Sequence, residues 1–381
     1  MVQTVLLVFG TRPECIKMAP LVHTLRSQPD RFHVVVCITG QHREMLHSAL
    51  RIFDIVPDVD LDIMKPGQDL FSITADILYK MKDVITAHNP DILLVHGDTT
   101  TTLAAATAGF YAGKRVGHVE AGLRTHDLSA PFPEEFNRQV VSKIAALNFA
   151  PTQESAQNLR NEHIAEEKII VTGNTVIDAL FWVLKKIESN PDYEKKIHQS
   201  LNDVLKFDWQ NEKFILVTGH RRENFGDGFL HICRALKRIA QEEPETHIVF
   251  PVHLNPNVRA PVQEHLLDIP NIHLIEPQDY EPFICLMQAS YLLLTDSGGI
   301  QEEAPSLSKP VLVMRDVTER PESVEAGTTR LVGSKEDIIV SETLLLLRDP
   351  KVYQIMQAAE NPYGDGYACE KILEILDKTK P

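Results

Sequence analysis

The stretch Tyr291-Leu292-Leu293-Leu294-Thr295-Asp296-Ser297-Gly298-Gly299-Ile300 decides the fold. A short, unbroken apolar run reads as a strand buried on both faces, which is the mark of a parallel sheet. Two glycines then turn the chain, and a helix opens at Ile300. Glycines in that place let backbone N–H groups approach a phosphate at a helix N-terminus, and Ser297 adds a hydroxyl. A tight turn with a serine cap would not need two glycines.

The same strand–turn–helix grammar recurs outward from this point. Strands are expected at Val5–Phe9, Phe32–Thr39, Ile92–His96, Arg115–Val119 and Leu147–Ala150, then at Phe214–Thr218, His247–Val252, Ile272–Ile275, Tyr291–Thr295 and Pro310–Val313. Helical patterns fall at Cys15–Arg26, Ile73–His88, Thr101–Ala112, Phe229–Glu242, Ile300–Ser306 and Lys335–Leu347. Strands alternating with helices imply right-handed crossovers. The pattern restarts near Phe214, so the fold class is α/β with two doubly wound, Rossmann-like domains. Their expected bounds are 1–172 and 173–360, the second opening with a charged helical excursion at Ala179–Leu205. Residues 361–381 are expected to turn at Pro362–Gly366 and form a helix that returns to the first domain.

The 381 residues are 43% hydrophobic and 24% charged, ordinary for a globular chain. No apolar run approaches the roughly 18 residues of a spanning helix. The start lacks a basic, secretory n-region. A net charge of -15 disfavours nucleic acid and anionic membrane as partners. Five scattered cysteines, never in a Cys-x-x-Cys pair, fit a reducing cytoplasm. Zinc spacing, a Gly-x-x-x-x-Gly-Lys-Ser/Thr loop and a Gly-x-Ser-x-Gly elbow are all missing, so neither metal nor cofactor is expected.

Ligands of open α/β sheets sit beyond the carboxyl ends of strands. Six such ends carry chemistry. Gly10-Thr11-Arg12-Pro13-Glu14 puts Arg12 at a helix start, with Lys17 behind it. Gly97-Asp98-Thr99 and Glu120-Ala121-Gly122 end strands expected to be neighbours, and Glu134-Glu135 follows soon after. Read alone, Asp98 is a helix cap and each acid a solvated surface group; two acids ending adjacent strands argue for a site. Gly219-His220-Arg221-Arg222 makes a positive cluster in an acidic chain, suited to an anion. Glu302-Glu303 could receive sugar hydroxyls, and Arg315 and Arg320 follow the next strand.

Taken together, Gly10-Thr11-Arg12-Pro13-Glu14, His96-Gly97-Asp98-Thr99, His118-Val119-Glu120-Ala121-Gly122-Leu123-Arg124, Pro133-Glu134-Glu135, Gly219-His220-Arg221-Arg222-Glu223-Asn224 and Asp296-Ser297-Gly298-Gly299-Ile300-Gln301-Glu302-Glu303 carry a resemblance. Thr318-Glu319-Arg320-Pro321-Glu322 and Asn361-Pro362-Tyr363-Gly364 complete it. The chain resembles the bacterial non-hydrolysing UDP-N-acetylglucosamine 2-epimerases over nearly its whole length. The resemblance implies a GT-B fold with the parallel sheets facing a cleft, a homodimer, and supply of UDP-N-acetylmannosamine (UDP-ManNAc) for surface polysaccharide. It implies Arg12, His220, Ser297, Gly298, Gly299 and Glu303 as UDP contacts, and Phe283 as the backbone contact of uracil. Asp98, Glu120 and Glu134 match the catalytic acids, with His220 beside them, and Lys17 and Arg320 match further cleft residues. Gln41, Arg43 and Glu44 resemble the loop that holds a second, activating UDP-N-acetylglucosamine (UDP-GlcNAc).

The chemistry expected is loss of UDP, giving 2-acetamidoglucal, and its re-addition after protonation of C2 from the other face. Departure of the anomeric UDP acidifies C2–H, so carboxylates suffice as bases without a redox cofactor. Three rivals share parts of this reading: a hydrolysing epimerase releasing ManNAc and UDP, a GT-B glycosyltransferase, and a non-catalytic nucleotide-sugar sensor.

Overall fold

Val5–Phe9 have no exposed surface, and each such side chain contributes roughly 1.5–3 kcal/mol by leaving water. In the computed structural model, which describes residues 2–40, 43–65 and 67–380 with Arg43 through its backbone alone, they form the centre of the first sheet. The chain divides into two compact units, Met1–Val183 with Tyr363–Pro381, and Leu184–Pro362.

The first unit runs β1 (Gln3–Phe9), α1 (Arg12–Arg26), β2 (Phe32–Ile38), α2 (Arg43–Ile52), β3 (Val59–Asp60), α3 (Leu70–His88), β4 (Ile92–His96), α4 (Thr100–Tyr111), β5 (Arg115–Val119), α5 (Glu134–Ile144), β6 (Leu147–Ala150), α6 (Gln153–Asn161), β7 (Ile169–Val171) and the start of α7 (Thr175–Glu188). Its parallel sheet has the order β3-β2-β1-β4-β5-β6-β7. Chain order reverses between β1 and β4, so the loops after those two strands flank the switch point where such sheets take ligands.

The second unit continues with α8 (Pro191–Val204), β8 (Phe214–Thr218), α9 (Asp227–Glu242), β9 (His247–Pro251), α10 (Pro256–Leu266), β10 (Ile272–Ile275), α11 (Tyr280–Ala289), β11 (Leu292–Thr295), α12 (Gly298–Glu303), β12 (Val311–Val313), α13 (Pro321–Glu325), β13 (Thr329–Leu331), α14 (Glu336–Arg348) and α15 (Pro350–Gln357). Its parallel sheet runs β10-β9-β8-β11-β12-β13 and switches between β8 and β11. The core pairs the faces of β8, β9, β11 and β12 with α9 and α14.

The last helix, α16 (Ala368–Lys378), belongs to the first unit and packs on α1. Arg31 pairs with Asp377, and Arg115 donates to the Thr379 carbonyl. The single helical excursion expected at 179–205 is two helices. The break falls at Ser189-Asn190, where Asn190 caps α8 by accepting from the Tyr193 N–H at 3.2 Å and Pro191 takes the first helical position. Among the described residues no helix is long and apolar enough to cross a membrane.

Candidate functional site

In the first unit the site is built at the switch point from three loops. Thr11 caps α1, and Glu14 completes a capping box with it. The Glu14 carboxylate also accepts from the Gly10 and Thr11 N–H groups (3.0 and 2.8 Å) and from the Thr99 and Thr102 hydroxyls (2.7 and 3.2 Å). It therefore straps the loop after β1 to the loop after β4. Gly10 is forced by crowding: a Cβ there would stand 2.1 Å from Thr39 Oγ1 and 2.4 Å from Thr101 Oγ1. Arg12 follows at the first helical position, its guanidinium making no ion pair among the described residues.

Asp98 is not the cap of α4. Thr99 holds that place, its hydroxyl accepting from the Thr102 N–H at 3.1 Å. Asp98 is instead gripped from α5: its carbonyl accepts from Asn137 Nδ2 at 2.8 Å, and Arg138 Nη1 lies 3.1 Å from Oδ2. Behind it His118, fully buried, donates from Nε2 to the Gly97 carbonyl at 2.7 Å. Burial pushes the Asp98 carboxyl up to about 6; Arg138 opposes the rise, while Glu120 and Glu134 add to it. The fields of the other two sequence-predicted acids thus meet at this carboxyl.

Glu120 follows β5 directly and sits in the left-handed region, φ 62°. That backbone costs a residue with a Cβ roughly 1–2 kcal/mol and is characteristic of functional sites. Its Oε2 pairs with the Lys17 ammonium, accepts from Asn174 Nδ2 at 2.9 Å, and lies 3.8 Å from His96 Nε2. Burial lowers His96 to about 4, so its ring is neutral near pH 7. The two acids read as a pair in sequence separate here. Glu134 opens α5, partly exposed. Glu135 is buried and accepts from the Thr125 and His126 N–H groups (3.0 and 3.1 Å), Arg138 Nε (2.7 Å) and Gln139 (2.6 Å).

In the second unit Asp296 stitches the loops after β8 and β11. Its Oδ2 accepts from the His220 and Arg221 N–H groups, both at 2.8 Å, and its Oδ1 is 3.5 Å from His220 Nδ1. The His220 ring stacks on His253 at 5.4 Å between centroids. Burial lowers the His220 pKa, Asp296 opposes this, and His253 and Arg221 add to it. Ser297 precedes α12 without capping it through its hydroxyl. A Cβ on Gly298 would sit 3.8 Å from Arg221 Nη2 and 4.0 Å from Arg320 Cζ, so two guanidinium groups flank the glycine turn.

Glu302 and Glu303 are both buried. Glu302 pairs with Arg320, and Glu303 accepts from the Tyr280 hydroxyl at 2.7 Å. Phe283 lies in the first turn of α11, its N–H donating to the Asp279 carbonyl at 3.1 Å. Arg315 is consumed elsewhere: it pairs with Glu223 and, at 2.7 Å, with Glu319, whose pKa its guanidinium holds down against burial.

Of the remaining sequence-predicted residues, Gln41 lies outside the described residues, Arg43 begins α2, and Glu44 follows in its exposed first turn. Among the described residues no group of three or more His, Cys, Asp or Glu could hold a metal ion, and all five cysteines are buried thiols. The sequence assigned no role to Arg138, Asn174, Asp296 or Tyr280, although Asp296 stands in the stretch that decides the fold. An Arg three residues after an acid on a helix, as at Glu135 and Arg138, is the local sign of such a pair.

A family model described as UDP-N-acetylglucosamine 2-epimerase matches residues 23–377. The UDP-N-acetylglucosamine 2-epimerase of Yersinia pestis is 59% identical over 372 residues, covering 98% of both chains. The crystal structure of the Neisseria meningitidis UDP-GlcNAc 2-epimerase bound to UDP-GlcNAc superposes with a TM-score of 0.89 at 50% identity, covering 99% of this chain and all of that one. The glycosyltransferase of kitacinnamycin, 11% identical with a TM-score of 0.63 over both whole chains, extends the likeness of fold alone, which is GT-B-like. With a family model over most of its length and relatives matching it from end to end, the chain belongs to the UDP-N-acetylglucosamine 2-epimerase family.

Proposed function

We propose that this protein interconverts UDP-GlcNAc and UDP-ManNAc without hydrolysis, in the cytosol, supplying surface polysaccharide synthesis. The observation that carries the reading is the pair of acids, Asp98 and Glu120, ending the adjacent strands β4 and β5 in unlike environments. Glu120 faces an ammonium and an amide donor, which favour its carboxylate. Asp98 is held near 6, where it can carry or release a proton. Acids set apart in this way suit opposite proton-transfer roles.

In the proposed reaction a carboxylate takes the C2 hydrogen as a proton while the anomeric C1–O bond breaks by anti elimination. The C2–H electrons form the C1=C2 bond of 2-acetamidoglucal, and the C1–O pair leaves with UDP. Return of UDP to C1 with a proton delivered to the other face of C2 gives the manno epimer. Asp98, Glu120 and Glu134 share the proton transfers, Lys17 pairs with Glu120, and His220 is assigned a part in the same chemistry. Arg12, His220, Ser297, Arg320 and the amides of Gly298 and Gly299 hold the departing diphosphate, whose negative charge preorganised donors stabilise. Glu303 takes the ribose hydroxyls, and Phe283 offers its backbone to uracil. A second UDP-GlcNAc at the Gln41–Glu44 segment would act as activator.

Proton NMR with UDP-GlcNAc in D2O tests the reaction. Deuterium should enter C2 of both epimers with no build-up of free sugar. Retention of the original hydrogen refutes elimination, and ManNAc accumulating with equimolar UDP selects the hydrolysing reaction.

The chain is further proposed to act as a homodimer. Tyr79 on α3 and Tyr111 on α4 are 76% and 75% exposed and line a groove of about 480 Å³ with Leu78 and Ala108, and Phe110, 54% exposed, neighbours Tyr111. Such aromatic patches favour association. Sedimentation should report twice the 42.9 kDa chain mass, and Tyr79→Glu with Tyr111→Glu should return the monomer. A wild-type monomer removes the pairing.

A further inference from the structure

Asn174, 3% exposed, stands between the C-terminal turn and Glu120. Its backbone N–H donates to the Tyr363 carbonyl at 2.7 Å. Its Oδ1 accepts from the Val176 N–H at 3.1 Å, which fixes the amide so that Nδ2 is the atom turned toward Glu120. That nitrogen donates to Glu120 Oε2 at 2.9 Å. The Tyr363 ring is fully buried against Val176 and Ile177, so the turn that supplies the carbonyl is itself anchored. Two glycines make the approach possible. A Cβ on Gly364 would lie 3.2 Å from Gly173 Cα, and one on Gly173 would lie 3.3 Å from the Tyr363 oxygen.

We propose that Asn174 is the positioning residue for Glu120, and that the Tyr363–Gly364 turn holds it in place. The inference rests on the reading of Glu120 as an acid/base group. Lys17 brings charge to Oε2 on a flexible stem, but a point charge does not define the plane of a carboxylate. The locked amide does. Both groups hold Oε2, and Oε1 lies 3.7 Å from where a Cβ on Gly97 would stand, in the loop that carries Asp98. Reacting groups misplaced by about 1 Å lose on the order of 100-fold in rate.

The test compares Asn174→Asp and Asn174→Ala with the wild type by C2 exchange in D2O, UDP calorimetry and a pH profile. Asn174→Asp keeps the shape and the Val176 contact, so the fold survives, but it sets a carboxylate against Glu120 Oε2. Among the described residues, the ionisable groups near that carboxylate include Lys17, His96, His118 and Asp98. The expected result is a kcat lower by about tenfold or more in both variants, with KM and UDP affinity within about twofold. In Asn174→Asp the low-pH limb of kcat should also move up by about one pH unit, as a like charge dictates. Wild-type kcat in Asn174→Ala, or a lowered kcat with an unmoved limb in Asn174→Asp, overturns the proposal. Absence of exchange in the wild type would instead overturn the proposed function, so the two failures are distinct.

Discussion

Replacing Asp98 with Asn is expected to slow C2 exchange by roughly 1000-fold, within the usual worth of a positioned proton-transfer group, while UDP affinity stays within about twofold. The asymmetry follows from where Asp98 stands. Its contacts are Asn137 and Arg138 of α5, in the first unit, whereas the Ser297–Gly299 turn and its two flanking arginines lie in the second. The amide keeps the size and can still face Arg138, but it cannot carry the proton. The same change should not weaken the fold at pH 8. The carboxyl is held near 6, above its ordinary 3.8, so the folded state binds its proton more tightly than the unfolded chain does. Stability is therefore lost as pH rises from about 3.8 through 6, and above that range the native protein bears an unfavourably buried charge. Asparagine removes the charge, so the melting temperature at pH 8 should equal or exceed that of the wild type. Full exchange activity in Asp98→Asn would take this residue out of the mechanism; a large fall in melting temperature would show that its charge is structural.

This pairing of lost activity with kept stability bears on what the sequence discloses. Long apolar runs such as Val5–Phe9 and Phe214–Thr218 announced both sheets, because strands buried on both faces have no polar alternation to hide them. The strands that escaped notice, β3, β7 and β13, are two or three residues long and lie at or beside sheet edges, where little apolar surface is required. Loop acids were visible as types but not as roles. Asp98 reads as a cap until Thr99 is seen to do that work, and nothing in Glu134-Glu135 says which acid turns inward. Asn174 and Asp296 act through atoms more than 50 residues away in sequence, and no local pattern records such partners. Neither did the charge count reveal that Arg315 is already spent on Glu223 and Glu319.

Glu134 and Glu135, adjacent in sequence, should respond to substitution in opposite ways. Glu135→Ala strips a buried carboxylate from two backbone N–H groups, Gln139 and Arg138. Breaking such a buried pair from one side typically costs about 3–5 kcal/mol. For a unit of this size that is a fall in melting temperature of roughly 6–20 °C. Arg138 would then be left to Asp98 alone, so the Asp98 carboxyl should titrate lower than about 6. Acid unfolding carries its own sign. Burial would raise the Glu135 pKa, but the donors from Thr125, Gln139 and Arg138 outweigh it and hold the carboxyl at about 2 against an ordinary 4.5. Its contribution is present above pH 4.5 and lost as pH falls toward 2, so Glu135→Gln should flatten the acid limb of stability across that window. Glu134→Gln, on a partly exposed side chain at the start of α5, should leave the melting temperature within a degree or two, since surface changes rarely exceed about 0.5 kcal/mol. It should nonetheless slow C2 exchange by roughly 100-fold. Thermal melts at pH 8 and pH 4 beside exchange rates separate the two residues. If Glu134→Gln unfolds the protein and Glu135→Ala does not, the division into a reacting acid and a structural one is wrong.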